Sequence, residues 1–292
     1  MSTMRYRQNR AAAWILALPL LMFFAVLLIW PIYLGVKTAL SNDLLSQFQI
    51  TSAGLSNFKA LISEPNFWLA IRFTLIFAVV ATTVELALGF AIALLFDRSF
   101  PGKKTLFSLI LIPIMIAPSL MAVMFRLLLN ENIGIIPGFL NKIGIHFSLF
   151  DQHHIFFLLV GLDVMQYTAF TFLLIYSSLQ GVSGEIYESA AIDGASYRQV
   201  VSRIIIPIIK PALAIVALLR FLDSIRTFDS IYILTGGGPG TTTETIGIYI
   251  YKTAFITGDF GMASSAAIVL VLMLVPFMPW IIKQFRLTGT GK

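Results

Sequence analysis

Four charged residues stand three apart in an otherwise apolar stretch: Arg220, Asp223, Arg226 and Asp229. Opposite charges at i, i+3 on a helix can neutralise each other. Three residues also turn a helix by about 300°, so the stripe drifts by about 60° per step and the four cannot all face one cavity. Two chemistries stand open: pairing among the charges, or the lining of a polar passage. Asp163, Gln166 and Tyr167 interrupt a second apolar stretch, and Glu85 stands in a third. Glu85 reads as a paired, buried carboxylate or as a proton relay. A charge inside a span costs ~2.5–3.5 kcal/mol on insertion scales, so each of these groups needs a partner or a cavity.

Other chemistries are poorly served. The run Gly236, Gly237, Gly238, Pro239, Gly240 has no following Gly-Lys-Ser/Thr to neutralise phosphates, so it reads as a turn rather than a nucleotide loop. No ATP-binding motif occurs elsewhere. His146, His153 and His154 share one loop without a third close ligand arrangement, and cysteine is absent, so neither a metal site nor a disulfide is expected. No nucleophile, base and oxyanion constellation is visible, and the chain does not read as an enzyme.

The elements that must position these residues are membrane spans. Hydrophobic residues make up 58% of the chain and charged residues 12%, against roughly 45–50% and about 25% in soluble domains. Apolar runs that reach or exceed the ~20 residues needed to cross hydrocarbon place spans at Trp14 to Val36, Trp68 to Phe96, Leu106 to Leu129, Ile155 to Ser178, Ala212 to Leu234 and Gly261 to Ile282. The expectation is an all-α membrane protein of six transmembrane helices. Arg5, Arg7 and Arg10 before the first run imitate a signal peptide, but the run is longer than the ~7–15 apolar residues of one and reads as an uncleaved span.

Basic residues stay on the cytoplasmic side. One set of alternate loops holds Arg5, Arg7, Arg10, Arg98, Lys103, Lys104, Arg198, Arg203, Lys210, Lys283, Arg286 and Lys292; the other holds Lys37, Lys59, Lys142 and Lys252. Both termini are therefore expected in the cytoplasm. The net charge of +6 belongs largely to these loops and implies a bilayer, not nucleic acid. Pro19, Pro31, Pro113, Pro118, Pro276 and Pro279 each free a backbone carbonyl, which predicts kinked helices. No repeat or linker divides residues 1–292, which read as one domain.

Residues 181–210 form a long cytoplasmic loop. Ser183 is placed to cap a helix with Glu185 and Glu188 in its first turns, Gly194 to stop it in the left-handed conformation, and Ser196 with Gln199 to form a capping box for a second helix running to Pro207. Ile186 with Ala190, and Tyr187 with Ala191, give the first helix an apolar, small-residue face. Such a pair of helices suits the bilayer interface or a protein partner.

The spacing Glu188-Ser189-Ala190, Gly194, Ile204, Ile206-Pro207 resembles the "EAA" loop of binding-protein-dependent ABC importer permeases, departing mildly at Ser189 and Ile206. FDSIYILTGGGPGTTTET from Phe228, IYIYKTAF after it and LLLNENIGIIPGFLNKIG are similar to the sugar-type permeases related to the larger maltose-importer subunit; DVMQYTAF departs at Met165, where tryptophan is usual. The resemblance implies a type I ABC importer permease fold in a bacterial or archaeal inner membrane. It implies a second, related permease, an external solute-binding protein, and two ATPase subunits that hold ATP and Mg²⁺ while this chain binds no cofactor. Glu188, Ser189, Ala190, Ala191, Asp193, Gly194, Ile204 and Pro207 would meet the ATPase, and Gly236, Gly237, Gly238 and Pro239 the binding protein.

At ~1.5 Å per residue, Arg220 lies about 15 Å from the inner surface and Asp229 near the outer one, while Asp163 lies about 12 Å from its own end and Gln166 near mid-membrane. Asp163, Gln166, Tyr167, Arg220, Asp223, Phe228 and Asp229 are therefore the expected pathway residues for a sugar, glycoside or polyol, moved by alternating access. The competing reading is a secondary transporter driven by ions through Glu85 or Asp163. It would call for paired broken helices in two similar halves, a pattern the sequence does not display.

Overall fold

A segment immersed in hydrocarbon must satisfy its own N–H and C=O groups, and the apolar runs accordingly become helices. The computed structural model describes residues 16–42, 51–144, 148 and 150–277. In chain order the helices are α1 (Leu16–Ala39), α2 (Ser56–Ser63), α3 (Pro65–Asp97), α4 (Lys103–Met115), α5 (Pro118–Leu128), α6 (Ile135–Lys142), α7 (Ile155–Leu179), α8 (Gly184–Ile192), α9 (Tyr197–Ile225), α10 (Asp229–Thr235), α11 (Ile246–Ile256) and α12 (Phe260–Leu274). A two-residue ribbon pairs β1 (Ser41–Asn42) with β2 (Thr51–Ser52). Among the described residues α1, α3, α7 and α9 are long and apolar enough to cross a membrane, and α4 with α5 adds a fifth, bent candidate. The chain is thus a multi-pass membrane protein. The last expected span is described as far as residue 277; the terminal arginines and lysines and His146 lie outside the described residues.

Two expected spans differ from the sequence reading. The third, Leu106 to Leu129, is not one helix: α4 and α5 meet at 93°. Ile116 and Ala117 are extended, with ψ of 131° and 137°, because the ring of Pro118 disfavours helical backbone in the residue before it. The fifth, Ala212 to Leu234, ends at Ile225, and Asp229 opens the separate helix α10. The second loop helix, conversely, does not stop at Pro207. A π-helical turn over Val200–Ile205 precedes the proline and α9 runs on to Ile225, 29 residues in all from Tyr197. The wider turn accommodates a residue that lacks an N–H and would crowd the carbonyl four back.

The described residues of Met1–Glu64 and Ile250–Met273 form one compact unit, and those of Pro65–Tyr249 and Leu274–Lys292 a second. In the first, Asn57 donates to the carbonyls of Ala39 (2.9 Å) and Ser41 (2.8 Å), and Ser265 to that of Ala39 (3.2 Å). In the second, α3 packs along α7. The inward stripe of α3 is Ala78, Ala81, Glu85, Gly89, Ala93 and Phe96, at the three- and four-residue spacing of one helix face. Small residues are what let helices approach in a bilayer, where burying apolar area against lipid gains nothing. Leu69, Ile76, Val79, Leu88 and Leu95 point outward. Beyond Gly89, toward the C-terminal end of α3, Phe96, Phe107, Phe172 and Tyr176 form an aromatic cluster with ring centroids 5.1–6.3 Å apart.

Gly89 is the tightest point of that contact: a Cβ there would lie 2.5 Å from Thr171 Oγ1 and 2.9 Å from the Phe172 nitrogen. Gly89→Ala should destabilise the protein by about 1–3 kcal/mol through overpacking, read as a lower midpoint in thermal unfolding of the purified protein. Gly161→Ala, on the open face of α7 with nothing within 4 Å of the added carbon, should leave the midpoint in place.

Candidate functional site

The sequence places the guanidinium of Arg220 about four turns beyond Pro207 on α9, in an apolar stretch. Arg220 is 1% exposed, and the fold surrounds it with acceptors from three helices. Its Nε and Nη2 bind the two oxygens of Glu85 on α3 at 2.5 and 2.8 Å; Nη2 also reaches Asp163 Oδ2 on α7 at 3.0 Å and Ser224 Oγ at 3.2 Å, and Nη1 reaches Asp223 Oδ2 at 2.6 Å. The ring of Tyr167 lies 4.0 Å from the guanidinium carbon. A planar fork with five donors is the side chain that fits so many acceptors at once. Of the two readings of Glu85, the structure supports the paired carboxylate.

Three carboxyl groups surround one guanidinium. Asp223 is the member of the set that reaches solvent, with 48% of its side chain exposed, whereas Glu85 and Asp163 are buried. It opens onto a groove of about 390 Å³ lined by Ile114, Tyr167, Phe170, Arg220, Asp223 and Arg226, among others. Gln166 faces a different neighbour: its Nε2 donates to the Ile116 carbonyl at 2.9 Å, satisfying an acceptor released by the break between α4 and α5. The groove thus joins Tyr167, Arg220 and Asp223, with Asp163 and Gln166 packed behind.

Phe228 and Asp229 stand apart from that set. Phe228 stacks on Tyr232 at 5.1 Å within the cluster around Phe77 and Ile231, and Asp229 is exposed in the first turn of α10. Arg226, third in the charged series, is exposed at the groove, and the break after it separates Asp229 from Arg220. The glycine run is a turn closed on its own threonines. Gly237 N donates to Thr235 Oγ1 at 3.0 Å, Thr243 Oγ1 to the Gly238 carbonyl at 2.7 Å, and Gly236 and Gly237 take φ of 61° and 90°. Pro239 is exposed at its tip. His154 lies 3.9 Å from Asp151 at the start of α7.

The loop of residues 181–210 forms two helices hinged at Gly194, whose φ is 70°. Ser183 occupies the first cap position without a side-chain cap bond. The expected box is present at the second, with Gln199 Oε1 accepting from Ser196 N at 2.8 Å. Glu188, Ser189, Ala191, Asp193, Gly194 and Pro207 face solvent; Ala190 turns into the core beside Val200 and Ile205, and Ile204 is half-buried. Ile192, 86% exposed, adds an apolar tip that the spacing argument passed over. Asp97 and Arg98, at the end of α3, also went unnoticed as partners of this loop. Tyr187 donates to Asp97 Oδ2 at 3.0 Å, Gln180 reaches Asp97 Oδ1 at 3.5 Å, and Arg98 lies 4.1 Å over the ring of Tyr197. Burial, then the bond to Asp97, pushes the Tyr187 hydroxyl up to about 12, so it remains a donor across the physiological range.

No family model matches the chain. A trehalose/maltose transport system permease protein of Thermococcus litoralis is 31% identical over 278 residues, 94% of each chain. An inner membrane ABC transporter permease protein of Escherichia coli is 28% identical over 294 residues, 97% of each. A chain in the crystal structure of a bacterial alginate ABC transporter, in complex with an alginate pentasaccharide-bound periplasmic protein, shares the fold with a TM-score of 0.80 at 22% identity over 94% of both.

Arg220→Met should destabilise the protein by ~3–5 kcal/mol, because it leaves three carboxylates without their counter-charge. Glu85→Gln should cost less, since Asp163 and Asp223 still hold the guanidinium, and Glu85→Gln combined with Arg220→Met should recover part of the loss. Thermal midpoints and monodisperse yield after solubilisation measure all three.

Proposed function

The chain belongs to the permease subunits of sugar ABC importers, and from that premise we propose how its parts serve such an importer. It spans the inner membrane of a bacterial or archaeal cell six times, with both termini in the cytoplasm, as one permease domain. It pairs with a second, related permease and works without a cofactor of its own. Two ATPase subunits, which hold ATP and Mg²⁺, dock at the exposed face around Glu188, Ser189, Ala191 and Asp193, with Ile192 at its tip. An external binding protein delivers a sugar, glycoside or polyol to the outer side, where Gly236, Gly237, Gly238 and Pro239 form a stiff turn suited to contact. The alginate transporter structure, which contains a periplasmic protein, is in keeping with that arrangement.

The observation that carries the reading is the continuity of α9. One 29-residue helix begins in the docking loop and ends beside the groove at Arg220 and Asp223. A push by a closing ATPase that reaches the start of α9 is passed along the axis of that helix to the groove. This is the mechanical requirement of alternating access: the site must change its exposure when the ATPase changes its state.

The groove has the chemistry of a polyhydroxylated solute. Asp223 accepts from hydroxyls, Arg226 donates to ring and hydroxyl oxygens, and Tyr167 offers an aromatic surface. Its volume falls within the ~300–1,000 Å³ of small-molecule sites. An ion-coupled secondary transporter is not favoured, because Glu85 and Asp163, the carboxylates it would use, are both committed to Arg220.

Asp223→Asn should lower uptake by the reconstituted importer about tenfold or more, the scale of one lost hydrogen bond to a charged group, and Tyr167→Ala should lower it through loss of the aromatic surface, with ATPase subunits still co-purifying in both. Uptake unchanged in both would remove the groove from the pathway. Glu188→Lys should release the ATPase subunits during purification; full co-purification would contradict docking at this loop.

A further inference from the structure

A docking helix transmits force only through whatever holds it. Helix α8 is joined to α9 by the four residues Asp193 to Ser196, with Gly194 at positive φ, and α9 opens with a π-helical stretch, Val200–Ile205, rather than a regular turn. A load on α8 could therefore be lost in rotation about that corner. The far side of α8 is held instead by the end of α3. Asp97 accepts from Tyr187 on α8, and the next residue, Arg98, covers the ring of Tyr197 at the start of α9. One dipeptide grips both loop helices, one on each side of the Gly194 corner.

Asp97 is an unexpected occupant of its position. It is the last residue of α3, where the partial negative charge of the helix disfavours a carboxylate, and the last turn carries no basic residue to offset it. A residue kept against the local electrostatics is explained by what it binds. Gln180, at the end of α7, approaches its other oxygen, so the carboxylate stands among α3, α7 and α8. Twelve residues up α3, about 18 Å along the axis, Glu85 binds Arg220 of α9. Helices α3 and α9 are thus joined at two levels, one at the cytoplasmic end and one deep in the membrane.

We propose that Asp97 and Arg98 are positioning residues of the coupling step: they latch both loop helices to α3, so that displacement of the docking loop moves α3, α7 and α9 together and reaches the groove as a rigid-body motion. This rests on the reading of α8 as the ATPase-docking helix. The latch is a polar bond and a cation–aromatic contact, so it constrains orientation more sharply than apolar packing does.

Because the chain has no cysteine, nitroxide labels can be placed singly. Glu185→Cys on α8 and Leu95→Cys on α3, both exposed, give an intrachain distance in the complete importer, measured by electron paramagnetic resonance without nucleotide and after trapping with Mg-ATP and vanadate. The unaltered latch should give one narrow distribution in both states. Asp97→Ala and Tyr187→Phe, the latter removing a single hydroxyl and keeping the ring, should broaden or shift it by ~3 Å or more, half the pitch of a helix. Asp97→Asn, which keeps an acceptor for Tyr187, should restore the narrow distribution. A distance that changes on trapping with the latch intact, or one indifferent to both Asp97→Ala and Tyr187→Phe, would overturn the proposal. The distance is read in complexes that retain their ATPase subunits, so its failure is separate from a failure of docking, which the Glu188→Lys co-purification reports.

Discussion

The buried guanidinium of Arg220 sets the terms for the helices around it. An arginine at this depth is tolerated when counter-charges surround it, and the fold draws those from α3, α7 and α9 itself. The requirement fixes rotation as well as proximity: Glu85 must face inward on α3, which places Ala81, Gly89 and Ala93 on the same face and lets α7 come close. Breaking a pair of this kind leaves charges stranded in hydrocarbon, so the arrangement is costly to disturb in part. It tolerates movement of the three helices as a body far better than sliding of one against another.

Proline shows how one residue type produces opposite outcomes. At Pro118 the preceding residues go extended and the chain turns through 93°. At Pro207 a π-helical stretch absorbs the defect and the helix continues. The difference lies in surroundings that a linear sequence does not display. Near Pro118 a released carbonyl finds the Gln166 amide, so a break can be satisfied. The segment before Pro207 has Val200 and Ile205 in a core with Ala190 and Phe96, which rewards keeping the helix and its register. The sequence reading made Pro118 a kink within a span and Pro207 the end of a helix; it could not foresee the outcomes, because they depend on partners about 50 positions away in the first case and more than 100 in the second.

The same division governs what was legible at the sites. Local chemistry was readable: the Ser196–Gln199 box, the left-handed Gly194, the i, i+3 pair of Arg220 and Asp223, and the glycine turn each follow from residues within a few positions of one another. Estimates of depth brought Asp163 and Arg220 to similar levels because rise per residue is nearly constant. Long-range partners were not readable. Glu85 lies 135 positions from Arg220 and Asp97 lies 90 from Tyr187, and neither spacing leaves a mark in periodicity. The reach of the fifth span was misjudged because apolar residues continue past Ile225, although the helix does not.

Asp223 joins the charge cluster to the proposed solute groove. It shares the burden of neutralising Arg220 with Glu85 and Asp163, yet alone of the three it faces the groove. A hydroxyl that donates to this carboxylate competes with solvent, not with the guanidinium, whose other carboxylate partners stay in place behind it. Binding therefore need not dismantle the charge cluster, and movement of α9 need not expose a bare charge to lipid. In the proposed pathway the excess of carboxylates over guanidinium is what makes this possible: with one carboxylate, Arg220 would have to choose between holding the helices together and leaving an acceptor for a solute.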